Sequence, residues 1–88
     1  MKAIVLGIEN ANYTDKETGE QKVGARLYVA RVLREQPAGL RGKKTEELFV
    51  KANPNIFEEN ALYDFDVSRG RSARGPYASV LEFEKVKS

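Results

Sequence analysis

The chain has 88 residues, 41% hydrophobic and 32% charged, with 15 lysines and arginines against 13 acids and a formal net charge of +2. That length allows a single domain spanning residues 1–88, which buries only roughly 60% of its unfolded surface, and the composition excludes both a disordered tail and a membrane protein. The chain lacks cysteine and histidine, which removes disulfides, thiolate and imidazole metal ligands and the commonest nucleophile and general base, so neither an enzyme nor a cofactor is expected, and the missing cysteine fits a cytoplasmic location.

The first apolar run, Ala3 to Ile8, is nearly continuous and predicts a strand covered on both sides. Polar residues from Asn10 onward end it, and Thr18-Gly19 marks the bend of a long hairpin. A second strand follows within Val23 to Leu33. Its alternation points Val23, Leu27 and Val29 toward the core and Arg26, Tyr28, Ala30 and Arg31 outward, with Gly24 a candidate bulge. Arg34 to Thr45 holds Pro37, Gly39 and Gly42 among Arg34, Arg41, Lys43 and Lys44, and reads as a basic connection. The third strand, Glu46 to Ala52, directs Leu48 and Val50 one way and Glu47, Phe49 and Lys51 the other.

In Asn53 to Asn60, Asn53 suits an N-cap and Pro54 the first helical position, so one helical turn is predicted, with Ile56, Phe57 and Leu62 plugging one end of the core. Two alternating segments close the chain. Leu62 to Ser68 places Tyr63, Phe65 and Val67 on one face, and Tyr77 to Phe83 places Tyr77, Ser79, Leu81 and Phe83 on one face. Between them lies Arg69-Gly70-Arg71-Ser72-Ala73-Arg74-Gly75, a predicted hairpin tip with three guanidiniums and no acid. The order is three strands, a short helical turn between strands three and four, and two more strands. It predicts an all-β fold, a five-stranded OB-fold-like Greek-key barrel.

Single-strand nucleic-acid binding requires cations that neutralise phosphates and aromatic faces on which bases stack. The candidate cations are Lys22, Arg26, Arg41, Lys43, Lys44, Lys51, Arg69, Arg71 and Arg74, and the candidate platforms are Tyr13, Tyr28, Phe49 and Tyr77, each beside polar or basic neighbours. Tyr28, with Arg26 two positions earlier on the same face, is the leading platform. The same residues have plainer readings: a solvated arginine turn, a solvated basic connection, and Phe49 and Tyr77 packed in the core or at a dimer contact. Asp64 and Asp66 share a strand face but lack a third metal ligand, and pairing with Arg26 or Arg31 is the simpler expectation. Phosphate loops, dinucleotide fingerprints and nucleophile elbows are absent from the sequence.

Four features together resemble the gene V family of filamentous-phage single-stranded-DNA-binding proteins. They are the basic hairpin with Thr18-Gly19 and Lys22 leading through Gly24 to Tyr28, the segment Leu48-Phe49-Val50-Lys51, the segment Ala61 to Val67, and the glycine-bearing basic turn before Ala78 to Phe83. The resemblance implies an OB-fold homodimer that coats replicating single strands, with Lys22, Arg26, Tyr28, Lys51 and Arg69 to Arg74 in the binding positions. The expected function is single-stranded DNA binding with little sequence preference, in the replication or transfer of a phage or mobile element. No membrane and no small-molecule substrate are expected. A small-barrel protein-interaction module and a binder of structured RNA are the rival readings.

Overall fold

The computed structural model describes residues 1–32 and 38–87. Its strands are β1 (Lys2–Asn10), β2 (Tyr13–Thr14), β3 (Gln21–Lys22), β4 (Ala25–Arg31), β5 (Thr45–Val50), β6 (Leu62–Ser72) and β7 (Gly75–Lys85), with a single 3₁₀ turn at Pro54–Ile56. The fold is therefore mostly β. Each of the five long strands pairs with two neighbours, so one mixed sheet closes on itself in the order β1-β4-β5-β7-β6. All its pairings are antiparallel except β5 with β7, which meet in parallel through the single pair Phe49 and Ser79. The short strands β2 and β3 form a separate ribbon projecting between β1 and β4.

Inside the closed sheet lie Ala3, Val5, Ala25, Leu27, Val29, Leu48, Val50, Tyr63, Phe65 and Val80, and Phe57 enters from the segment after the 3₁₀ turn. This set follows from the period-two alternation of strands buried on one face. The turn forms because the Asn53 side chain accepts from the Asn55 N–H at 2.9 Å, while Pro54 stands where no amide donor is needed. Phe57 then packs against the rings of Tyr63 and Phe83, with centroids 5.7 and 4.8 Å away. The Tyr63 hydroxyl accepts from the Glu58 N–H at 3.0 Å, which satisfies its one polar atom. Ile56 is not part of this plug, because the tight turn carries it to the surface, and Leu62 is half-buried.

Two β-bulges explain where the alternation departs from expectation. The pairing of β1 with β4 skips Leu6 between Val5 and Gly7, which turns Leu6 outward and brings Ile8 against the core. The apolar run Ala3 to Ile8 is thus continuous because an extra residue is inserted, not because both faces are covered. The pairing of β6 with β7 likewise skips Leu81, matching Asp66 to Glu82 but Val67 to Val80. Leu81 is left 63% exposed and Val80 takes the buried position, so the predicted single face of Tyr77, Ser79, Leu81 and Phe83 is broken at the bulge.

In the second long strand Leu27 and Val29 face inward as expected, but the strand begins at Ala25, so Val23 precedes it and is exposed. Ala30, expected outward, is buried. Gly24 marks a close approach rather than a bulge: a Cβ there would stand 2.6 Å from the Ala11 carbonyl oxygen and 3.1 Å from the rings of both Tyr13 and Phe49.

The arginine segment is a paired ribbon and not a loop. Strand β6 runs on through Ser72 and β7 starts at Gly75, leaving Ala73 and Arg74 as the turn, and Gly75 adopts φ 115°. Gly70 lies directly across from Tyr77, and a Cβ on it would come within 2.5 Å of the Tyr77 hydroxyl oxygen. The glycine therefore gives the tyrosine ring its seat. Of the basic connection, Arg34 to Pro37 lies outside the described residues, as does Leu33, the last residue of the predicted second strand. No helix among the described residues is long and apolar enough to cross a membrane.

Candidate nucleic-acid interface

Because Leu27 and Leu48 pair across β4 and β5 with their side chains in the core, Arg26 and Phe49 pair on the outer face. Tyr77, Arg69 and Arg71 reach the same surface from the β6–β7 ribbon. A groove of about 620 Å³ results, lined by Arg26, Phe49, Arg69, Arg71, Tyr77 and the acids Glu46 and Glu47. Phe49 also lines a second hollow with Tyr13, Asp15, Lys22 and Lys51, under the β2–β3 ribbon. The Tyr13 ring meets Phe49 edge-on at 5.7 Å, and Lys51 Nζ stands 5.4 Å from the Tyr13 centroid. Phe49 is therefore the joint between two concave surfaces, one beside each protruding ribbon.

Several cations here already hold carboxylates. Arg69 grips Glu46 through two hydrogen bonds, Nη2 to Oε1 at 2.9 Å and Nη1 to Oε2 at 3.1 Å, and this pairing holds the guanidinium above its ordinary pKa. Arg26 donates to Glu9 Oε1 at 3.1 Å, and Lys22 meets Asp15 Oδ2 at 2.9 Å. The Arg26–Glu9 and Lys22–Asp15 pairs are exposed, so a phosphate could displace the carboxylate at little cost, whereas the bidentate Arg69–Glu46 pair holds more firmly. Arg71, Arg74, Arg41, Lys43 and Lys44 make no ion pair with a described residue. Glu47 is exposed and likewise unpaired, which disfavours phosphate at its end of the groove.

The expected site residues thus fall into three groups. Arg26, Phe49, Arg69, Arg71 and Tyr77 share the groove, and Lys22 and Lys51 share the adjoining hollow. Tyr28 lies on the same outer face but in a neighbouring hollow with Leu6, Thr45, Glu46 and Glu47. Its ring rests against Gly7 and its hydroxyl is 3.5 Å from Glu9, so the leading platform is already half covered. Arg41, Lys43, Lys44 and Arg74 are exposed and line none of these surfaces. Phe49 and Tyr77 are not in the core: Phe49 is half-buried and Tyr77 50% exposed. Tyr13 stands beside Phe49, a placement hidden in the sequence because it depends on the close approach at Gly24.

The barrel end of the β6–β7 hairpin, away from its arginine tip, carries the contrary charge. Asp64 faces Glu84 and Asp66 faces Glu82 across the strands. Asp64 is paired with the N-terminal ammonium at 3.2 Å rather than with Arg26 or Arg31. No family model, curated protein or solved structure matches the chain.

The Asp15–Lys22 pair fixes the ribbon in a pH-dependent way. The Lys22 ammonium, and after it the Glu17 N–H, hold the Asp15 carboxyl below its usual range, and Asp15 holds Lys22 above its own. A depressed carboxyl stabilises the folded ribbon above its unfolded pKa and loses that contribution as the pH falls through the folded value. The raised lysine contributes below its unfolded pKa and loses that contribution only as the pH rises through its folded value. The pair is therefore intact across neutral pH and opens first in acid. Carboxyl NMR titration should show the Asp15 midpoint rising toward the ordinary carboxylate value in Lys22→Met; an unchanged midpoint would contradict the assignment.

Proposed function

We propose that this protein is an OB-fold-like module that binds single-stranded DNA by phosphate contacts and base stacking, without catalysis. The observation that carries the proposal is the convergence of two outward aromatic rings, Phe49 and Tyr77, in one groove with Arg71, which has no ion pair among the described residues. The strand order supports it: counting long strands alone, the ring runs first, second, third, fifth, fourth. In OB-folds the face of strands two and three, with the loops between strands one and two and between four and five, binds oligonucleotides. Here those parts are the outer face of β4 and β5, the β2–β3 ribbon and the β6–β7 tip. The separation of the acids at the barrel end of the hairpin from the arginines at its tip orients an approaching polyanion toward the groove.

Action in the cytoplasm, in replication or transfer of a phage or mobile element, rests on the gene V resemblance and belongs to the same proposal. So does a homodimer. Fluorescence anisotropy of a labelled oligo-dT tests the binding: affinity should fall steeply and log-linearly with salt. Arg71→Gln should reduce the salt slope by about 0.7, the value for one phosphate contact on a single strand. An unchanged slope removes Arg71 from the interface, and no binding at low salt overturns the proposal. Tighter binding to duplex RNA than to oligo-dT would favour the structured-RNA reading instead.

A further inference from the structure

The hollow beneath the β2–β3 ribbon has a chemistry that phosphate capture and stacking leave unused. Its aromatic wall is Tyr13 and Phe49, and its polar wall is Asp15 and Lys22, held 2.9 Å apart. The Asp15 carboxylate already accepts from the Glu17 N–H at Oδ1, 2.8 Å away, and from Lys22 at Oδ2. A carboxylate has about four acceptor positions, so beyond the Glu17 N–H, the Lys22 ammonium and a weaker contact from the Thr18 N–H it keeps acceptor capacity. Lys22 has three ammonium hydrogens, and Asp15 is the partner of its ion pair. With its pKa lowered, Asp15 is an obligate acceptor at neutral pH.

The wall therefore offers two acceptors beside one donor. Among the DNA bases, the complementary edge, two donors beside one acceptor, is that of guanine, whose N1–H and N2–H₂ lie next to O6. Adenine and cytosine each offer one donor group on that edge and thymine a single N–H, so none can occupy both carboxylate oxygens and the ammonium together.

We propose that this hollow is a guanine-selective base subsite of the single-strand interface. The base lies against Tyr13 and Phe49, its N1–H and N2–H donate to the two Asp15 oxygens, and its O6 accepts from Lys22. The inference rests on the single-strand reading and narrows its expected lack of sequence preference to all positions but one. Lys51, above the Tyr13 ring, is placed to meet the adjoining phosphate.

The test is competition binding to the full chain with oligo-dT carrying one central dG, one inosine, one dA or one dC. The dG strand should bind about tenfold tighter than oligo-dT, consistent with the discrimination of a bidentate pair. Inosine, lacking the N2 amine, should lose most of that gain. Asp15→Asn should abolish the dG preference, read as the ratio of dG-strand to oligo-dT affinity within the same variant, with the fold checked by its circular dichroism. Lys22→Met should weaken the preference without erasing it. Oligo-dT binding with no dG preference, or a preference that survives in Asp15→Asn, overturns the subsite and leaves the single-strand reading standing. GMP binding as tightly as the dG strand would overturn a strand as the source of the guanine. Failure of every oligonucleotide to bind overturns the single-strand reading and the subsite with it.

Discussion

Phe49→Ala should weaken oligo-dT binding by about 1–3 kcal/mol, the range for removing one stacking platform, with a melting temperature that falls much less than for a core substitution. The expectation follows from the position of the ring. It is half-buried on the outer face, it lines both the groove and the ribbon hollow, and it meets Tyr13 edge-on. Its removal leaves Tyr13 without its ring contact, so the loss should exceed that from Tyr28→Ala, whose ring already rests on Gly7 in a separate hollow. Titrating both variants in parallel by anisotropy checks the ranking. A larger loss for Tyr28 would move the stacking surface to the Leu6 side of the sheet.

Phe65→Ala should destabilise the fold by about 3–5 kcal/mol, the usual cost of removing a buried phenyl group. Phe65 is one of the largest fully buried side chains, stacks on Tyr63 at 5.7 Å and faces Phe83 across β7. A domain of this size has a total stability of roughly 5–10 kcal/mol, so the variant should be marginal at best. Urea unfolding followed by circular dichroism gives the difference. A loss below about 1 kcal/mol would mean that the core relaxes into the space, contrary to close packing around the ring.

The sequence made the closing hairpin partly legible because Tyr63, Phe65 and Val67 alternate without interruption, and Leu48 and Val50 do the same in the third long strand. It hid the register wherever an extra residue enters. Leu6 and Leu81 are apolar and in phase with core neighbours, so no local pattern distinguishes a bulge from a buried position; the register is decided by the partner strand. The site was legible in kind but not in membership. Arginines, glycines and aromatics pointed to the ribbon tip and to β4 and β5, yet which cations share a groove depends on the parallel contact of Phe49 with Ser79, a pairing between distant segments. For the same reason Arg41, Lys43 and Lys44, attractive by composition, line none of the surfaces that Phe49 joins, while Tyr13 belongs beside Lys51. The ion pairs of Arg26, Arg69 and Lys22 were equally invisible, since each acid comes from another strand or the far side of a turn.

The most direct test of a single interface across the outer face of β4 and β5 is a ¹H–¹⁵N NMR titration with oligo-dT. Binding should shift the amides of Phe49, Lys51, Arg71 and Tyr77 together, with Tyr13 and Lys22 following through the shared ring of Phe49, while Asp64, Asp66, Glu82 and Glu84 stay in place. Absence of shifts at low salt, or shifts centred on the acidic end of the hairpin, would contradict the account.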